Sequence, residues 1–214
     1  MVSTGDGFAD GGKYIAKVLK EENIHGSFFL TGNFYRNRKF KKIIKELKRN
    51  GNYLGSHSDK HLLYCDWKKR DSLLVTKQEF TEDLQNAYKE LNKWNIEKNE
   101  AHYFLPPYEW YNDSVSAWTK DLGLQLINYS PGTLSHADYT TPADKNYRAS
   151  DVIYRSVIDH ETRSPSGLNG YILLMHIGAD PKRADKFYKK LPGLISYLRS
   201  KGYHFQLIDK MLRG

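Results

Sequence analysis

Short β-rich runs alternate with amphipathic segments about seven times along this chain, and that rhythm excludes most architectures before any single residue is considered. The runs are Met1 to Thr4, Ser27 to Leu30, Tyr53 to Ser56, His102 to Leu105, Gln125 to Asn128, Tyr171 to His176 and Tyr203 to Leu207. The segments between them carry helix punctuation. Thr76 and Glu79 form a capping box ahead of Phe80, Leu84, Ala87 and Leu91, and Gly51, Gly123 and Gly202 stand where helices end. Strands that return through helices to parallel neighbours build an α/β sheet covered by helices. Seven such units in 214 residues fit a barrel of parallel strands at least as well as an open sheet, in one domain spanning residues 1–214.

The first strand is short before a Gly-rich turn, so the chain is expected to be N-terminally trimmed, its opening element completed in a longer natural protein. No apolar run approaches the roughly 20 residues of a membrane span. A single cysteine, Cys65, excludes an internal disulfide. The formal charge of +8 invites a search for an anionic partner. Yet the densest basic run, Arg38 to Arg49, also carries Phe40, Ile43, Ile44 and Leu47 at helical spacing. Its lysines are expected to face water, and no nucleic acid is expected as a partner. Two connections, His61 to Val75 and Tyr129 to Ala149, are long enough to suggest function.

In parallel α/β folds the chemistry collects at the carboxyl ends of strands. Asp6 follows the first strand, His57 and His61 the third, Pro107 and Tyr108 the fourth, and His176 closes the sixth. One Asp and two His supply an oxygen and two nitrogens and leave coordination positions open, a donor set that suits catalytic Zn²⁺ and related divalent ions. His176 is then placed to protonate a leaving group. Together these residues point to a hydrolytic metal site.

The segments Gly-Ser-Phe-Phe-Leu-Thr-Gly (residues 26–32), Gly-Asn-Tyr-Leu-Gly-Ser-His-Ser-Asp-Lys-His (51–61), Phe-Leu-Pro-Pro-Tyr (104–108) and Leu-Leu-Met-His (173–176) resemble, in order, the polysaccharide deacetylases of NodB-homology type, carbohydrate esterase family four. The resemblance implies a distorted (β/α) barrel, a divalent metal, Zn²⁺ foremost with Co²⁺, Ni²⁺ or Mn²⁺ as substitutes, and removal of acetyl groups from amino sugars or other acetylated glycans. It implies Asp6, His57 and His61 as metal ligands, His176 as general acid, and the backbone N–H near Tyr108 as an oxyanion donor. It also implies a secreted or periplasmic protein, which would form one module of a larger glycan-active chain.

Two positions depart from the family pattern. The usual general-base Asp is replaced by Gly5, and the Arg that pairs with it by Leu105. Three acids are candidates to replace the base. Glu109 follows Tyr108, Asp59 lies between the two histidines and equally suits a bond to its own backbone, and Asp10 is equally suited to cap a helix. The orienting partner of His176 is not identifiable, though the long loop offers Ser135, His136 and Asp138. Trp67, Tyr108, Trp110 and the neighbouring Pro107 are candidate substrate contacts, since flat rings stack on sugar faces. The expected function is a metal-dependent N- or O-deacetylase of a carbohydrate. The alternative is a weak or inactive deacetylase-fold domain that binds glycan.

Overall fold

The computed structural model describes residues 2–3 and 8–212. In chain order the elements are β1 (Val2–Ser3), α1 (Gly12–Glu21), β2 (Ser27–Leu30), α2 (Gly32–Arg36), α3 (Lys41–Arg49), β3 (Tyr53–Ser56), α4 (Lys77–Asn92), β4 (Tyr103–Phe104), α5 (Asp113–Asp121), β5 (Gln125–Leu126), α6 (Ser150–Arg163), β6 (Met175–His176), α7 (Leu191–Ser200) and α8 (Ile208–Met211). The strands form one sheet in the order β5-β4-β3-β2-β1-β6, and every registered pair is parallel. The fold is α/β, with parallel strands that return through helices as the alternation predicts.

Alternate strand residues face two different cores. Phe28, Leu30, Leu54, Phe104 and Met175 lie beneath the helices, packed with Ile15, Ile44, Leu47, Phe80, Leu91 and Leu194. Phe29, Tyr53, Tyr103, Leu105, Ile127 and Leu174 point to the other face and pack on one another and on Ile208. A flat sheet cannot bring side chains from its centre and both edges into one cluster, so the sheet curls around this second core. A backbone bond from Ser130 N to Ile172 O (3.0 Å) ties the segment after β5 to the segment before β6, the two edges of the sheet. Truncating a buried ring such as Phe29 to Ala would cost about 3–5 kcal/mol.

The capping box of α4 forms as expected, with Glu79 N donating to Thr76 Oγ1 (3.2 Å) and Thr76 N to Glu79 Oε2 (2.7 Å). Gly51 and Gly123 take the left-handed φ of 73° and 66° that ends α3 and α5. The basic run divides into a 3₁₀ turn, Arg38–Phe40, and α3, with Ile43, Ile44 and Leu47 buried.

One expected strand is absent among the described residues, leaving six where about seven were expected. Tyr203–Leu207 joins no ladder. Tyr203 N donates to Leu198 O (3.1 Å) in the preceding helix, Tyr203 Oη accepts from Leu168 N (2.9 Å), and Ser27 Oγ accepts from Ile208 N (3.0 Å) just beyond. The alternation Tyr-His-Phe-Gln-Leu reads as a strand, yet His204, Phe205 and Gln206 all stay exposed. Strands β4, β5 and β6 are also shorter than their sequence runs. At β4 the ladder gives way where Pro106 and Pro107 bring no N–H to it.

Candidate functional site

The turn from His57 to His61 leaves the carboxyl end of β3 in a strained conformation, with Ser58 at φ 69° and His61 at φ 58°. Surrounding bonds hold it. Asp83, buried on α4, accepts from Asp59 N (3.1 Å), Lys60 N (3.1 Å) and the Tyr64 hydroxyl (2.8 Å). Ser58 Oγ accepts from His61 N (2.8 Å), and the first residues of α2 close the other side through Gly32 N to Ser58 O (2.9 Å). The two imidazoles thereby stand edge to face, with centroids 4.9 Å apart.

His57 is buried, and its Nδ1 lies 2.8 Å from Leu105 O. A carbonyl only accepts, so Nδ1 carries the proton and Nε2 keeps its lone pair. Burial, reinforced by the nearby His61, holds the His57 pKa well below the ordinary histidine value. A neutral imidazole with a fixed tautomer is the form that ligates metal. Among the described residues, no three His, Cys, Asp or Glu side chains are grouped to hold an ion. The third ligand implied by the resemblance, Asp6, lies outside them, as does Gly5.

Glu109 faces this pair from the loop after β4, with Oε1 3.9 Å from His57 Nε2. It sits in a tight turn in which Tyr108 and Glu109 both take left-handed φ, 59° and 53°. Asn128 Nδ2 fixes the turn by donating to Glu109 O (2.9 Å). Burial pushes the Glu109 pKa up to about 7, against the lowering pull of His176 and with a further push from Asp138. This carboxyl group is therefore close to half ionised near neutrality.

On the other side stands His176, at the end of β6. Its Nδ1 lies 2.6 Å from Asp138 Oδ1, and its backbone N–H donates to Asp138 Oδ2 at 2.9 Å. Asp138 is buried on a 3₁₀ turn (Ser135–Tyr139) inside the long loop. Burial pulls the His176 pKa down, but the Asp138 and Glu109 carboxylates outweigh it and leave the value raised. The far end of the loop is pinned by Arg183, a fully buried guanidinium that donates to Thr140 O (2.7 Å), Arg148 O (3.0 Å) and Ser150 Oγ (3.2 Å). Sequence reasoning placed Asp138 among the loop's polar groups without pairing it, because nothing local marks a contact across that separation.

The other candidates fall in different places. Asp59 has a buried carboxylate that is ion-paired to Arg36, which also reaches Glu90. Asp10 does not cap α1, whose N-cap is Gly11. It accepts from Ala179 N (2.9 Å) and pairs with Lys186 (3.0 Å), tying the loop after β6 to the start of α1. Leu105 buries its side chain in the inner core and gives the site only its carbonyl. Pro107 is buried beneath the Tyr108 turn. Tyr108 touches His61 (ring centroids 4.4 Å), Trp67 touches Tyr108 (5.4 Å) and Trp110 touches Trp67 (5.6 Å). Trp67 and Tyr108 are 54% and 44% exposed, so this row of rings leads from His61 into solvent.

The curled parallel sheet, with paired histidines and two carboxyl groups at its strand ends, defines the class. The chain belongs to the polysaccharide deacetylase family, whose model matches residues 4–127. Among curated relatives it is 26% identical over 199 residues to the peptidoglycan-N-acetylmuramic acid deacetylase PdaA of Bacillus subtilis, covering 92% of this chain and 65% of that protein. It spans between 54% and 65% of the length of the curated relatives it matches. Among solved structures, Bacillus subtilis PdaA aligns with TM-score 0.69 at 23% identity, covering 98% of this chain and 76% of that one. A family 4 carbohydrate esterase pseudoenzyme from Bacillus anthracis aligns with TM-score 0.69 at 19% identity, covering 99% and 63%. These likenesses show the fold, the NodB-like barrel class to which the curled sheet conforms.

Proposed function

We propose that this protein is a metal-dependent hydrolase that removes acetyl groups from a carbohydrate, with Glu109 as general base in place of the side chain missing at Gly5. The observation that carries the reading is the placement of a carboxyl group with pKa near 7 beside His57 and of a carboxylate-oriented imidazolium beyond it. Such an arrangement separates one proton acceptor and one proton donor within a single site.

His57 and His61, with Asp6, would hold the divalent cation, Zn²⁺ foremost. The neutral, tautomer-fixed His57 fits that task. When bound, such a cation supplies Lewis-acid polarisation of an acyl carbonyl and acidifies water. Glu109 takes a proton from the attacking water. His176, held protonated by Asp138, gives a proton to the leaving amine or alkoxide as the carbon–nitrogen or carbon–oxygen bond breaks. The Tyr108 N–H supports the developing oxyanion, and Trp67, Tyr108 and Trp110 offer stacking faces to the sugar.

The substrate class follows the relatives: an acetylated amino-sugar polymer of peptidoglycan type, met outside the cytoplasm, with this domain as one module of a glycan-active protein. The test is an acetate-release screen over acetylated saccharides with Zn²⁺, Co²⁺, Ni²⁺ or Mn²⁺ added, run beside elemental analysis of the purified protein. Metal-dependent acetate release supports the reading.

A second reading is favoured by Gly5 and by the likeness to a pseudoenzyme. In it the domain binds glycan without turnover. Saccharide binding with no acetate release under any metal or pH would select it.

A further inference from the structure

Together with α2 and the end of α4, the charge run on α3 lines an open cleft of about 990 Å³. Its acid, Glu90, is already engaged by Arg36 (3.5 Å) and Lys93 (2.8 Å), and Arg36 is paired to Asp59 as well. Lys48 spans the cleft, donating to the carbonyls of Trp94 (2.6 Å) and Asn95 (2.8 Å). Four cations remain, Arg38, Lys41, Lys45 and Arg49, whose side chains make no ion pair or hydrogen bond among the described residues.

Their spacing of three, four and four residues stacks them in one row, successive charges about 6 Å apart along the helix axis. Like charges at that spacing oppose one another, and Lys41 and Lys42 also stand in the first turn of α3, which holds no acid. The helix carries this repulsion without a compensating carboxylate on the row. A solvated face needs no such alignment, whereas a linear polyanion is complementary to it.

The cleft offers point charges and no platform. Its aromatic residues are Tyr35, which is buried, and the half-buried Trp94, whose Nε1 is bonded to Tyr35 O (3.2 Å). Nucleic-acid grooves that accept single strands present exposed rings on which bases stack, and none is present in this cleft among the described residues. Pyranose acids in a polysaccharide turn successive carboxylates to different sides of the chain. A flexible three-carbon polyol lets successive phosphodiesters face one wall.

We propose that the α2–α3–α4 cleft binds a linear, base-free polyol-phosphate chain, seated on the row Arg38, Lys41, Lys45 and Arg49. This site is separate from the proposed deacetylation and stands whether or not that reaction occurs. The test is binding of a synthetic poly(glycerol phosphate) decamer to the full chain by calorimetry, with duplex DNA and polygalacturonate as comparison ligands. If all four cations engage phosphates, affinity should fall by about 50-fold between roughly 50 and 200 mM salt. The double variant Lys41→Glu/Lys45→Glu should weaken binding at least tenfold and flatten the salt dependence. Lys13→Glu/Lys120→Glu, the same change in net charge on α1 and α5, should leave binding within twofold. No binding of the decamer at low salt, equal loss in both double variants, or tighter binding of DNA or polygalacturonate would overturn the proposal.

Discussion

Asp138 meets His176 twice, with one carboxylate oxygen 2.6 Å from the ring Nδ1 and the other 2.9 Å from the backbone nitrogen. The double contact fixes both the position of β6's last residue and the tautomer of its ring, leaving Nε2 as the proton-donating atom. Asp138→Asn keeps the shape and removes the charge. Deacetylase kcat is expected to fall roughly 10–100-fold, with the high-pH limb of the profile moving to lower pH, because the raised His176 pKa rests on that carboxylate. Rate profiles of the two proteins check it.

The pH dependence of the wild-type protein follows from the same pair. In the proposed roles, Glu109 acts ionised and His176 protonated. Burial pushes the Glu109 pKa up to about 7, and a cation bound beside His57 would draw it down, so the ascending limb is expected at or below about pH 7. The descending limb lies above the ordinary histidine value, since His176 is raised. A bell measured in kcat/KM with metal saturating reports the two as macroscopic values of a coupled site.

Glu109 also has a signature in stability. Its folded pKa of about 7 lies above the ordinary glutamate value, so the neutral form suits the fold and stability is lost as pH rises from the unfolded pKa through about 7. The full penalty is about 3 kcal/mol before relaxation. Glu109→Gln is expected to raise the unfolding free energy of the metal-free protein at pH 8 and to leave it nearly unchanged at pH 4. Urea titrations at the two pH values measure this.

The buried Asp83 carboxylate braces the turn between the histidines by receiving two backbone N–H groups and a phenol. Asp83→Asn replaces an acceptor with a donor that those N–H groups repel. The variant is expected to lose roughly 10–100-fold in Zn²⁺ affinity while retaining a cooperative thermal transition. Calorimetric metal titration alongside circular dichroism separates the site effect from general unfolding.

The strand and helix periods of the sequence, with its caps and helix-ending glycines, were enough to read the sheet and most of its elements. Ser27–Leu30 and Tyr53–Ser56 appear with the expected bounds because both faces of these strands are buried. Tyr203–Leu207 misled because alternation describes side chains, while a strand also needs a backbone partner. The strand-end rule gathered Asp6, His57, His61, Pro107, Tyr108 and His176 at one rim. It gave no sign that Asp59 is ion-paired, since the partner, Arg36, sits on α2, 23 residues earlier in the chain. Nor could it find Asp138 as the partner of His176, a contact made by a loop whose course local patterns do not encode.

The central claim, that Glu109 does the work of the side chain absent at Gly5, is tested most directly by acetate release from an acetylated amino-sugar oligomer by wild-type and Glu109→Gln proteins, each saturated with Zn²⁺. The account predicts metal-dependent turnover in the wild type and a loss of about 10²–10⁴-fold in the variant, with metal binding retained. A variant as active as wild type, or a metal-loaded wild type that releases no acetate, would contradict it.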